Sequence, residues 1–293
     1  LTGQVWYNET ANTLKYFYNN PGAWATGGVL NTARRLLAGA GTQTAALAFG
    51  GGPPFTAITE SYNGTSWTEV NDLNTARRQL AGAGTNTAAL GFGGYNPTLP
   101  VSPIANTESW NGTNWTEVND LNTARSRLAG AGIQTAALAF GGDPSTAVTE
   151  TWNGTNWTEV NDLNTARREL AGAGTNTAAL AFGASPSLAL TESWNGTNWT
   201  EVNDLNTGRG ALGGVGVDNT SALAFGGEGP AVTGATESWN GTNWTEVADL
   251  GTARYALAGA GIQTAALAFG GQPSGTLTEE WNSGPATVTI TTD

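Results

Sequence analysis

Residues 149–182 read TETWNGTNWTEVNDLNTARRELAGAGTNTAALAF, and close copies of this stretch recur along almost the whole chain. The arginine of its Thr-Ala-Arg step (Thr-Gly-Arg in one copy) falls at Arg34, Arg77, Arg125, Arg167, Arg209 and Arg254. Successive copies lie 42 to 48 residues apart. A period of that length, rich in short β patterns, predicts a propeller with one blade per repeat.

The second unit shows how a blade is written. Residues 78–84, Arg-Gln-Leu-Ala-Gly-Ala-Gly, are expected to be the innermost strand, a, because blades converge at the axis and Ala-Gly-Ala-Gly supplies the small residues needed there. Strand b spans 87–92, with Ala88, Leu90 and Phe92 on one face and Thr87, Ala89 and Gly91 on the other. Both faces are nearly apolar, as for a strand buried between neighbouring blades. Gly93-Gly94 ends it and opens backbone angles closed to other residues. After a variable loop, strand c ends at Trp110, Asn111-Gly112 signals a hairpin, and strand d begins at Trp115. No segment has helical periodicity.

The ends bear on closure. Trp24 lies ten residues before Arg34, as Trp67 lies ten before Arg77, so 24–30 has the spacing of a strand d. Residues 286–290 are apolar enough to be a last strand d. Either segment would complete the sixth blade, and a ring whose two ends meet there removes exposed sheet edges. The expected organisation is an all-β chain with an N-terminal hairpin or attachment segment at 1–23 and a six-bladed propeller of four-stranded antiparallel blades at 24–293.

Composition narrows the function classes. With 293 residues the chain buries enough surface to need no metal or disulfide. It has no Cys and no His, which excludes Cys nucleophiles, His bases and Cys/His metal sites. No cofactor, metal or catalytic residue is expected. A net charge of −12, with one lysine and ten arginines, argues against nucleic-acid binding through phosphates. No apolar run reaches the length of a transmembrane helix, and no membrane insertion is expected. The chain has no Met, even at position 1, so a fragment, a processed product or a domain of something longer is expected.

A Gly-Gly ending strand b, an aromatic on strand c, a Trp opening strand d and an Arg before strand a together resemble the kelch repeat. That resemblance covers roughly 24–281 and implies four-stranded propeller blades. It departs from the pattern in the shorter spacing between Trp110 and Trp115, in Gly183-Ala184 for Gly-Gly, and in Tyr62 for Trp. At the N-terminus, residues 3–18, GQVWYNETANTLKYFY, followed by Pro21-Gly22-Ala23-Trp24, look like a short hairpin common in bacteriophage tail-fibre and other virion proteins. This second resemblance implies a virion surface or tail location, with other virion proteins contacted through the hairpin. A secreted or cytoplasmic location is the alternative.

Residues present once per blade are read as structural. The six arginines are expected to tie blade to blade, and Glu60, Glu108, Glu150, Glu192, Glu237 and Glu279 to partner them rather than to act as glycosidase carboxylates. Function is expected where the repeats differ, namely in the b–c loops and in the two residues after each arginine, which share one face of a meander. The candidate contact residues are Phe55, Tyr95, Asn96, Leu99 and Ile104 from the loops, with Arg35, Arg78, Arg127, Arg168 and Tyr255 beside the axis. The partner expected is a host-surface glycan or protein. The alternatives are a structural or decoration role in a virion and an intracellular kelch-type adaptor.

Overall fold

The computed structural model describes residues 3–8, 10, 13–100 and 102–290, without the side chains of residues 13, 17 and 286–288. Residues 1, 2, 9, 11 and 12 of the expected hairpin lie outside the described residues. The described residues contain no helix; they form six antiparallel sheets, five of four strands and one of five. In blade 1 the strands are Ala38–Thr42 (a), Ala45–Phe49 (b), Thr59–Tyr62 (c) and Trp67–Val70 (d), paired in that order. Each strand a packs beside strand a of the next blade, and the last returns to the first, so the ring is closed.

The small residues of strand a are required by that convergence. A Cβ on Gly82 would lie 2.7 Å from the Gly39 carbonyl oxygen of the neighbouring blade and 2.7 Å from the Phe49 ring. Strand b supplies the bulk, with Ala89, Leu90 and Phe92 fully buried. The hydrophobic core is six clusters, each straddling two blades; Ala38, Leu47 and Phe49 of blade 1 meet Leu80, Trp110 and Trp115 of blade 2.

One contact set repeats at all six seams. The Trp opening strand d stacks on the Phe of the preceding blade, as in Trp115 on Phe49, with ring centroids 4.9 Å apart. Its indole N–H donates to the threonine that opens strand c of that same blade, Trp115 to Thr59 at 3.0 Å. The other pairs are Trp67–Thr278, Trp157–Thr107, Trp199–Thr149, Trp244–Thr191 and Trp24–Thr236, all at 3.0–3.1 Å.

Trp24 therefore occupies the place of a strand d indole, and the N-terminal segment closes the sixth blade. The closing strand is Thr13–Thr26, paired along its length with Thr278–Ile290, with Trp24 opposite Trp281. Residues 286–290 are not a separate strand d. They continue strand c beyond the propeller and pair with Leu14–Tyr18. The hairpin partner Val5–Asn8 adds a fifth strand to this sheet. The expected boundary between 23 and 24 falls inside one strand, because the hairpin and the closing strand share it. Tyr62, the odd aromatic of blade 1, stands at this seam and donates its hydroxyl proton to Glu280 Oε1 at 2.6 Å.

The six arginines are 0–2 % exposed. Each guanidinium meets the glutamate of strand c at 2.5–3.2 Å. That glutamate belongs to the arginine's own blade, so the side chain is not the expected blade-to-blade tie. Arg34 also donates to the carbonyls of Gly50 and Ile58, at 3.0 and 2.6 Å, in the same blade. The free oxygen of Glu60 accepts from the backbone and side-chain N–H of Asn31, clamping the linker that enters the blade. Burial lowers the pKa of the Arg77 guanidinium, and the facing Glu108 opposes this by raising it. The tie between blades runs through the arginine backbone. The carbonyl of Arg77 accepts from Gly51 N–H at 2.9 Å, and the series continues round to Gly271 and Arg34. The first glycine of each step lies against that carbonyl with φ of 62–69°, Gly183 included; the second has φ of 97–126° in the other five blades, whereas Ala184 lies outside the left-handed region and pairs with Leu188.

Two outcomes are expected. Glu150→Ala leaves Arg125 buried without its carboxylate and should cost about 3–5 kcal/mol in urea unfolding, most of which an added Arg125→Met change should restore. Burial, and then the hydrogen bond to Glu280, push the Tyr62 phenol up to about 12 from the ordinary 10.0. Its folded-state pKa is raised, so its contribution is complete below about pH 10 and is lost as pH climbs toward about 12. Tyr62→Phe should flatten the decline of the urea midpoint across that window.

Candidate functional site at the loop face

The b–c loops and the d–a linkers meet on one face of the ring. Isolated antiparallel bridges join Arg35 to Gly52, Arg78 to Tyr95, Ser126 to Asp143, Arg168 to Ser185, Gly210 to Glu228 and Tyr255 to Gln272. The first residue after each buried arginine is thus paired with the variable loop of its own blade.

The second residue after each arginine forms the rim of the axial channel. These are Leu36, Gln79, Arg127, Glu169, Ala211 and Ala256, and all six have φ between 51° and 60°. Left-handed backbone is uncommon for residues other than glycine. Here it aims each N–H at the carbonyl of the previous member: Gln79 to Leu36, Arg127 to Gln79, Glu169 to Arg127, Ala211 to Glu169, Ala256 to Ala211 and Leu36 to Ala256. The six bonds, 2.7–2.9 Å long, close a circle around the axis. Beneath it lies a collar of Leu37, Leu80, Leu128, Leu170, Leu212 and Leu257, each 5–6 % exposed. The rim and collar enclose about 100 Å³.

The rim is chemically lopsided. Arg127 pairs with Glu169 at 3.2 Å, and in the orientation that satisfies both groups the Gln79 carbonyl accepts from Arg127 Nε at 2.8 Å. Leu36, Ala211 and Ala256 make the other half apolar. Outside the rim, Arg168 is paired with Asp143 at 2.6 Å. Arg78 lies over the Tyr95 ring, 5.5 Å from its centroid. The Tyr255 hydroxyl contacts Gln272 Oε1 at 3.2 Å and accepts from Arg35 Nη1 at 3.5 Å.

The expected contact residues therefore divide. Arg35, Arg78, Arg127, Arg168, Tyr95 and Tyr255 are partly exposed on this face, and Leu99 stands at a loop tip, 37 % exposed. Phe55 is half-buried. Ile104 is 5 % exposed and its backbone N–H bonds Gly94, so its side chain belongs to the packed interior and offers no surface anchor. Asn96 is also 5 % exposed; its amide donates to the Ala76 carbonyl and its oxygen accepts from Thr98, so it shapes the loop from within. Burial of these two was hidden because the ten residues from Tyr95 to Ile104 carry no period from which an inside could be read. Gln272 and Asp143, which orient Tyr255 and Arg168, were visible only as loop residues next to a proline. Nothing in the local sequence marks the left-handed rim, since its six members share no residue type.

The six strand-c glutamates are all engaged by arginine, and five of them also by a linker asparagine, such as Asn74, Asn122 or Asn164. In blade 6, Gly251 replaces the asparagine and bonds Glu279 through its backbone. None forms a carboxylate pair facing open space.

Ala211→Gly should remove the left-handed cost while adding glycine's chain entropy, for a net gain of about 0.5–1 kcal/mol in stability. Ala171→Gly, in a strand with ordinary backbone, should lose stability by a similar amount in the same denaturation series.

No family model matches the chain, and no curated protein matches it. Solved structures do. One, titled "Structure of YjhT", superposes with a TM-score of 0.70 at 12 % identity, covering 92 % of this chain and 98 % of that one. At that identity the likeness is one of fold, a propeller of repeated blades.

Proposed function

We propose that this chain is a non-enzymatic recognition module carried on a virus particle, a kelch-like propeller that contacts a host-surface glycan or protein with its b–c and d–a loop face. The observation that carries the reading is the coincidence of variation and exposure. Every blade keeps its seam residues and its Arg–Glu clamp, whereas the residues that change from blade to blade meet on one face around the axis. A rigid scaffold presenting varied loops is the usual architecture of a binding surface.

The hairpin sheet is the second support. It extends the sixth blade away from the ring and exposes Val5, Tyr7, Leu14 and Ile290, a surface suited to attachment to other virion proteins. A structural or decoration role is the alternative, and that same exposed sheet is what favours it.

The test is a glycan array together with host-cell binding, comparing the chain with a variant in which the exposed loop tip 97–100 is replaced by Gly and Ser. Asn96 and Ile104 are left in place to preserve the fold. Loss of at least about tenfold in binding by a variant with unchanged thermal unfolding is the expected result. Absence of binding by both forms would favour the decoration role.

A further inference from the structure

The chain carries ten arginines, and their distribution is uneven. Six are buried against glutamates. The other four, Arg35, Arg78, Arg127 and Arg168, all lie on the loop face close to the axis. Acid on that face lies at the rim in Glu169, in the loops in Asp143 and Glu228, and in the linkers. Asp72, Asp120, Asp162, Asp204 and Asp249 are exposed there, each accepting from the first backbone N–H of a strand c.

Two of the four are neutralised, Arg127 by Glu169 and Arg168 by Asp143. Arg35 and Arg78 have no carboxylate partner among the described residues; Arg35 donates to the Tyr255 hydroxyl at 3.5 Å and Arg78 rests over the Tyr95 ring. They are neighbours on the rim, since the residues that follow them, Leu36 and Gln79, are joined by a 2.7 Å backbone bond. Arg35 also lines a cavity of about 290 Å³ at the seam where blade 6 meets blade 1, together with Gly52, Pro53, Gln272 and Pro273.

We infer that this seam cavity is an oxyanion seat for an acidic saccharide, with Arg35 as its principal charge; the inference rests on reading the loop face as a recognition surface. A guanidinium without a carboxylate partner, in a chain of net charge −12, is a fork ready for one planar or tetrahedral oxyanion. Gln272 and the Tyr255 hydroxyl supply neutral hydrogen-bonding groups beside it, as sugar hydroxyls require. Arg78 on Tyr95 offers a second cation and an aromatic face one blade away. A single guanidinium seats one oxyanion of an acidic chain at a time. Carboxylate and sulfate share this chemistry, and the experiment separates them.

Titration calorimetry would compare polygalacturonate, dextran sulfate and neutral dextran as probes, at low and moderate salt, for the native chain and for Arg35→Gln, Arg35→Lys and Lys15→Gln, the last on the hairpin sheet away from the loop face. Binding of a charged probe and not of dextran is expected, weakening as salt rises. Arg35→Gln should weaken it by about tenfold or more, Arg35→Lys should recover it only in part because the fork is lost, and Lys15→Gln should leave it unchanged. Whichever charged probe binds names the oxyanion. Equal loss in Arg35→Gln and Lys15→Gln would mean diffuse charge attraction and would overturn the seat. So would binding of dextran as tight as that of the acidic probes, or no binding of either acidic probe. Host-cell adhesion of Arg35→Gln, run alongside, keeps the two readings apart: adhesion retained while the acidic probes fail removes the oxyanion seat and leaves the recognition surface standing. Thermal unfolding of each variant reports that the ring is intact.

Discussion

Each blade of this molecule is held to the one before it by an indole that crosses the seam. The ring stacks on a phenylalanine of the neighbouring strand b, and its N–H reaches the threonine that opens the neighbouring strand c. The rings meet at a tilt, 55° between planes for Trp115 and Phe49, and the hydrogen bond fixes how one blade sits against the next. The same pair of contacts occurs at six seams, and the ring returns on itself. Trp24 is decisive here. It comes from the first tenth of the chain, yet it takes the place that a sixth strand d would fill, against Phe225 and Thr236 of blade 5. The two ends of the chain are thereby locked into one sheet, and the edges that an open ring would leave are paired.

The axis imposes the second constraint. Six strands meeting within a few ångströms leave no space for a Cβ at Gly39, Gly82, Gly130 or Gly172, so bulk is pushed outward to strand b and to the tryptophans. The buried Arg–Glu pair solves the complementary problem at the loop end, where linkers arrive with unsatisfied backbone groups. One carboxylate serves the guanidinium and the incoming Asn31 amide together, so both of its oxygens are hydrogen-bonded, while the Nε of Arg34 is left without a partner. This pairing also determines where charge is left over. Six cations are used up inside, and what the loop face presents is decided by the few arginines that remain.

Blade 6 is where the repeat gives way, and the departures are mutually consistent. In the other junctions an asparagine after strand d, such as Asn71, bonds the c–d turn of the next blade at Thr113 and Asn114. Blade 6 has no such turn because its strands c and d come from opposite ends of the chain, and the corresponding position in blade 5 is Ala248, which needs no partner. Tyr62 takes the place of Trp at the next seam, between blades 6 and 1, and bonds Glu280 on strand c of blade 6. The cavity beside Arg35 lies at this seam as well.

Blade number, strand order within a blade, the alternation of strand b and the need for small residues at the axis could all be read from residues 149–182 and their copies, because each follows from local spacing and side-chain size. That closure occurs at the sixth blade could be read too, from Trp24 lying as far before Arg34 as Trp67 does before Arg77. Which terminus supplied strand d, and that residues 286–290 run on as strand c, was settled only by pairing between segments more than 250 residues apart. The arginines were legible as structural, but their partners were not, since the glutamate of a blade and that of its neighbour look the same in the chain. The left-handed rim, the burial of Asn96 and Ile104, and the lone positions of Arg35 and Arg78 were decided by tertiary structure. The reason is physical: repeat spacing encodes what each residue does inside its own blade, whereas backbone handedness at the rim, burial within an irregular loop and charge left without a partner depend on what the neighbouring blades bring to the same point in space.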